Sequence, residues 1–554
     1  MRTGGAFETY DRGMILAAVL LGASLAAAAD APPAFSSAPL MTDREFALQA
    51  LNRLGYGPRP GDLERVEAMG VAAWIDLQLH PERIPDAAVE ERLKAYPSLA
   101  MTGEQLMNAY PNMQRRRMLG LFAAAKPKDV VAEASAAKLL RAVMSERQLE
   151  EVLTDFWFNH FNVSAAKNQD RWLFIPYERD VIRPRVLGKF RDLLGAVAHS
   201  PAMLVYLDNY QSTIDARYAP EGAQEDIAEM EGAMSRGGGK GRRKLGLNEN
   251  YARELLELHT LGVDGGYAQK DVTELARILT GWTIDRPNKK NAATVTDVQF
   301  RFNRRMHDPG GKVLLGEPYV WSGEAEGDKA LDRLARDPHT AHFLALKLCR
   351  RFVSDSPPEA LVARVARRFL DTGGDLRETY RAIFSSPEFR QERFFRSKVK
   401  TPLEFVASSL RVTGAELRDP ERSARSLDAL GMPPYRCEPP TGWPDRAEAW
   451  VSAGALVARL KAAQNLFNRR PDAPASATPD AALGGADRRD GRALVLRLTE
   501  AYLGGVVAER TRQALFQRLD DPEISGARLD DKRRTFRLDR LGALVLGAPD
   551  FERR

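Results

Sequence analysis

Apolar residues recur at three- and four-residue spacing along most of this chain, with polar residues filling the positions between them. This is the pattern of helices that bury one face. It predicts helices over 44–54, 62–79, 130–161, 189–206, 250–261, 271–282, 328–352, 358–369, 376–384, 402–413 and 492–517. Strict alternation, the mark of a half-buried strand, is scarce, and 295–302 is its best example. The expected fold class is mainly α: a large multi-helical, bundle-like core with a smaller C-terminal helical module.

The punctuation between these runs divides the chain. Residues 40–415 read as the main helical domain, 416–470 as a helical and loop connection, and 471–490, rich in Ala, Pro, Asp and Gly, as a linker to a module over 491–554. Within the main domain, 220–244 has acidic residues followed by a Gly/Arg/Lys run and lacks an apolar face. It reads as a mobile insertion, either a lid or a tolerated surface loop. Its Gly-Lys pair is not a phosphate loop, because no Ser or Thr follows Lys240 and no strand precedes it.

Residues 1–29 alter the expected location. An Ala/Leu-rich run from Met14 follows Arg2 and Arg12, and Ala27-Ala28-Ala29 supplies small residues before Asp30. This is the layout of a secretory signal peptide, so the mature protein is expected in the periplasm or outside the cell. The run is shorter than the roughly 20 residues of a membrane span, and no later segment approaches that length. Losing the leader removes two acids (Glu8, Asp11) and two bases (Arg2, Arg12), so the formal charge stays at +6. Acids and bases are interleaved elsewhere, and a nucleic-acid partner is not expected. Cys349 and Cys437 are enough for one bridge and too few for a cysteine-based metal framework.

The densest chemistry lies in 248–262. At about 100° per residue, Asn250, Arg253, Glu254 and Glu257 share one helix face while Leu255, Leu256 and Leu258 lie largely on another. Tyr251 and His259 belong to the same run. His160 closes an aromatic stretch with Trp157, and His307-Asp308 sits in a loop bounded by Gly and Pro. Two imidazoles with one or two carboxylates suit a divalent metal, and His160, His259 and Glu254 are the candidate ligands. The spacing opposes this, since Glu257 and His259 are two apart and Glu254 and His259 five apart, whereas a helix face joins residues three or four apart. A structural reading stands beside it, with Arg253 paired to Glu257, Asn250 as a cap and His259 at a helix end. A third reading makes Glu254 and an Asp such as Asp155 or Asp308 the acid and base of glycoside hydrolysis, with Trp157, Tyr251 and Trp282 stacking on sugar rings. No Gly-x-Ser-x-Gly elbow supports a serine nucleophile.

Several long motifs together resemble one family. They include 51–62, Phe156-Trp157-Phe158-Asn159-His160-Phe161, 248–262 with 265–272, Ala276-Arg277-Ile278-Leu279-Thr280-Gly281-Trp282, His307-Asp308, Lys347-Leu348-Cys349-Arg350-Arg351-Phe352-Val353 and 400–406. The chain resembles, over nearly all its mature length, the exported bacterial proteins grouped as domain of unknown function 1800. The resemblance implies no established reaction. It does imply a partner, because members are often encoded beside an exported family, domain of unknown function 1501, that resembles alkaline phosphatases and sulfatases. The Gly/Arg insertion before Asn248, and Ala268 where Thr is common, depart from the pattern.

Two functional expectations follow. One is a hydrolase or metal-dependent enzyme with a central polar cleft: Glu254, Glu257, His259 and His160 do the chemistry, while Asn250, Tyr251, Arg253, Trp157, Trp282, His307 and Asp308 hold the substrate. The other is a non-catalytic assembly or binding partner of the co-encoded hydrolase-like protein.

Overall fold

The computed structural model describes residues 38–120, 125–214, 246–285, 298–320, 322–468, 470–525 and 535–554. The leader, the 220–244 insertion and the first three residues of the expected 295–302 strand lie outside them. The fold is mainly α. Among the described residues, strands are confined to three two-stranded antiparallel sheets.

Helix starts follow local chemistry. Thr42 caps Asp43–Arg53 and Thr401 caps Pro402–Val412, each in a capping box with the Glu three residues on. Several long apolar runs are broken where a proline opens a new helix. The 189–206 run splits into Phe190–Ala198 and Pro201–Tyr206. The 328–352 run splits where the Asp337 side chain accepts from the His339 amide and starts Pro338–Phe352.

The 271–282 run differs more. Its helix is Gln269–Ile278, and Trp282 instead opens the strand Trp282–Ile284, paired with Phe300–Phe302. Gly281 makes the turn at φ +80°, and a Cβ there would stand 2.6 Å from the carbonyl oxygen of Asn303.

Contacts divide the chain into two compact units. One holds the chain up to Val71 together with Arg390–Met432 and Asp445–Arg554. The sequence boundaries at 415, 470 and 490 therefore fall inside this unit. In the 471–490 stretch, Ala475–Ser476 pairs with Glu416–Leu417, and Ala477 and Leu483 are buried. Helices Ala453–Leu466, Gly491–Leu503 and Leu538–Leu546 supply much of its core. Two of its buried arginines face carboxylates: Arg411 lies 3.2 Å from Asp62 and Arg554 3.1 Å from Glu404.

The other unit is Ala72–Phe389 with Pro433–Pro444. Helix Gln148–His160 carries its aromatic centre. Trp157 is fully buried, stacks on Phe161 with ring centres 5.7 Å apart, and donates from Nε1 to the Tyr380 hydroxyl at 2.7 Å. Each large apolar side chain buried this way is worth about 1.5–3 kcal/mol. The Pro433–Pro444 segment is a strap laid against the same helix. Asn159 exchanges two hydrogen bonds with the Trp443 backbone, at 2.8 and 2.7 Å, and Asn162 Nδ2 donates to the carbonyls of Cys437 and Pro439. Ala165 N–H donates to the Tyr435 carbonyl, and Tyr435 itself is held at φ 59°. No helix among the described residues is long and apolar enough to cross a membrane.

Candidate functional site

The 248–262 run starts as a regular helix and then widens. Asn248, whose side chain accepts from the Asn250 amide, caps Glu249–Glu254, so Asn250 is an exposed first-turn residue and not the cap. Leu255–His259 continue as a π-helical turn, in which Thr260 Oγ1 donates to the Leu255 carbonyl at 2.6 Å. One extra residue per turn is an uncommon insertion that recurs at functional sites.

The outer face of this helix carries Arg253, Glu254 and Glu257, all half-buried. Arg253 does not pair with Glu257 as the spacing suggested. It lies 3.4 Å from Glu249 and donates to Gln269 at 3.0 Å, while Gln269 and Thr273 also donate to Glu249. Burial, with the Glu257 charge beside it, pushes the Glu254 carboxyl above the usual carboxylate range despite the pull of Arg253. Both carboxylates also raise the Tyr267 hydroxyl after burial does, and Glu254 adds to the rise at Tyr206. Carboxylates and phenols thus share one field on this face.

The inner side holds the two histidines. His160 and His259 are almost fully buried, with ring centres 6.3 Å apart and Phe161 edge-on to both. Lys347, from helix Pro338–Phe352, donates from Nζ to His160 Nδ1 at 2.9 Å. An ammonium has only donors, so Nδ1 must accept and the proton sits on Nε2. That Nε2–H then donates to the His259 carbonyl at 3.2 Å. Burial and the Lys347 charge hold both imidazoles neutral, with His259 brought down to about 3 and His160 well below its ordinary value.

The metal set expected from sequence is not assembled. Both nitrogens of His160 are engaged, Glu254 makes no hydrogen bond or ion pair with either histidine, and an ammonium sits where a cation would have to compete. Among the described residues, no group of three or more His, Cys, Asp or Glu side chains could hold a metal ion.

The expected aromatic platforms are core residues. Trp157, Tyr251 and Trp282 have no exposed surface; Tyr251 donates to the Ala198 carbonyl, and Trp282 packs on His199 at 4.3 Å. His307 and Asp308 belong to a separate buried network. His307 Nδ1 lies 2.8 Å from the Thr280 carbonyl, and its Nε2 lies 3.5 Å from Glu326. Lys312 pairs with Glu326 at 2.7 Å, and Arg277 grips Asp308 in two contacts of 2.8 and 3.3 Å. Burial would raise both carboxyls, but hydrogen bonds from these partners outweigh it and hold Asp308 and Glu326 below the usual range.

The sequence pattern assigned no role to Lys347, although it lies in one of the family-like motifs, or to Lys312, Glu326 or Asp170. Lys347 stands 187 residues from His160, so periodicity carries no trace of their contact. Asp170 is fully buried, and neither carboxylate oxygen has a hydrogen-bond partner among the described residues. Burial pushes its carboxyl well above the usual range, with Lys167 opposing and Asp208 adding to the rise. Cys349 and Cys437 are both buried and free.

The family model described as a protein of unknown function, DUF1800, matches residues 49–553. No curated protein and no solved structure matches the chain.

Proposed function

Because the chain belongs to the DUF1800 family, whose description assigns no function, we propose a reading from its own residues: an exported acid–base hydrolase in which Glu254 carries the proton. The observation behind it is the Glu254/Glu257 pair. One half-buried carboxyl is raised by burial and by its like-charged neighbour, the kind of shift that suits a carboxyl to act as an acid. Arg253, partly exposed beside them, is the candidate for orienting an anionic substrate group. Trp157, Tyr251 and Trp282 are given no substrate contact, since each is buried.

The test is hydrolysis of chromogenic glycosides, esters and phosphates across pH 4–9 by the wild type and Glu254→Gln. The expected outcome is turnover of at least one class, lost in Glu254→Gln at an unchanged melting temperature. Equal turnover by the variant would refute the assignment.

A second reading has its own support. His160, His259, Trp157, Tyr251 and Trp282 are all interior, which favours a protein that acts through its surface as a partner of the co-encoded hydrolase-like protein of the domain of unknown function 1501 family. No turnover of any probe, with co-purification of the two proteins that survives Glu254→Gln, would carry that reading instead.

A further inference from the structure

We propose that His259, with the Lys347 charge beside it, is a binding niche for an oxyanion, a carboxylate or phosphate oxygen. The niche is separate from the Glu254 face and does not depend on the acid–base reading.

The first observation is an unmet hydrogen-bonding need. The His259 ring is 1% exposed, its Nδ1 is enclosed without a partner, and neither ring nitrogen makes a hydrogen bond among the described residues. A polar group left unpaired in the interior is costly, so a bound species is expected to complete it. The neighbouring polar atoms are engaged: His160 Nδ1 accepts from Lys347, and His160 Nε2 donates to the His259 carbonyl. His259 is the remaining open position.

The second observation is the sign of the field. Lys347 acts on both imidazoles, so a metal cation at His259 would enter against a positive charge and an anion with it. A neutral imidazole contributes one N–H, which calls for an oxygen acceptor. Phe161 stands edge-on to the His259 ring at 5.1 Å, and Phe343 lies 6.3 Å from the His160 ring, so the charge acts in apolar surroundings. Phe343 and Lys347 are themselves only partly buried. His160 is a positioning residue, since it fixes both the ammonium and the end of the π-helical turn.

Inorganic phosphate and acetate are the probes, added to the full mature chain. Binding is read from melting temperature and from the ¹⁵N shifts of labelled histidine. Phosphate is expected to raise the melting temperature saturably and to move the His259 ring nitrogens. His259→Phe and Lys347→Met should each weaken binding at least tenfold, whereas Lys270→Met, at an exposed site, and Glu254→Gln should leave it intact. If His259→Phe does not fold, Lys347→Met carries the test. Three results would overturn the proposal: no response to either anion, which leaves water on the nitrogens; an undiminished response in Lys347→Met; or zinc binding at His259 in place of the anions. Loss of turnover in Glu254→Gln bears on the other reading alone.

Discussion

Replacing Lys312 by Met tests whether the buried network around His307 is held by charge pairing. The Lys312 and Glu326 side chains are at most 1% exposed and lie 2.7 Å apart, joining the Lys312–Leu314 strand to helix Glu324–Ala335. Methionine keeps most of the stem but removes the ammonium. Glu326 would then rely on the Ser322 amide at 2.9 Å and His307 Nε2 at 3.5 Å. Breaking a buried pair by deleting one partner costs about 3–5 kcal/mol, because the remaining charge has lost both its water and its counter-charge. The pH dependence follows from the lowered Glu326 carboxyl. Its stabilisation is present above the unfolded value near 4.3 and is lost as pH falls through the folded value. The deficit of Lys312→Met should therefore be largest at neutral pH and shrink in acid. Urea unfolding followed by tryptophan fluorescence at pH 7 and pH 4 measures it. The double variant Lys312→Met/Glu326→Met should recover most of the loss, since two apolar groups replace both charges. A single variant within about 1 kcal/mol of wild type at pH 7, or a double variant no better than the single, would refute the reasoning.

Two further variants probe the same unit. Asp170 keeps its proton in the native state but releases it when unfolded, so its contribution declines as pH rises from about 3.9 toward the raised native value. Asp170→Asn should be at least as stable as wild type at pH 8, with the gap closing in acid; a lower melting temperature at pH 8 would mean that the carboxylate has a partner. Gly442→Ala should loosen the Pro433–Pro444 strap. At φ +70° its Cβ would stand 2.3 Å from the Asn159 carbonyl oxygen and 2.6 Å from its Oδ1, costing about 1–3 kcal/mol. Faster exchange of the Trp443 amide is the readout, and unchanged exchange and stability would show that the strap is not held there.

Much of the helical architecture was legible in the sequence because periodicity is a local property. Leu376–Phe384 spans the same residues in sequence pattern and structure, and Pro402–Val412 ends within a residue of its pattern. The amphipathic reading of the Asn250 helix was legible for the same reason: Tyr251, Leu255 and Leu256 turn inward, and Arg253, Glu254 and Glu257 outward. The proline breaks were written there too, although the apolar runs hid them.

Other features needed distant partners. Trp282 became a strand residue through its pairing with Phe302, outside the helical window. Widening of the 255–259 turn is not encoded in the apolar spacing. The chemistry of His160 depended on Lys347, and that of His307 on Lys312 and Glu326, contacts set by packing between separate elements. The sequence alone determined which side chains lay on a common helix face, because 100° per residue fixes that locally. Only the tertiary structure decided which were buried, neutral or paired, because burial and charge depend on whatever the rest of the chain brings within a few ångströms.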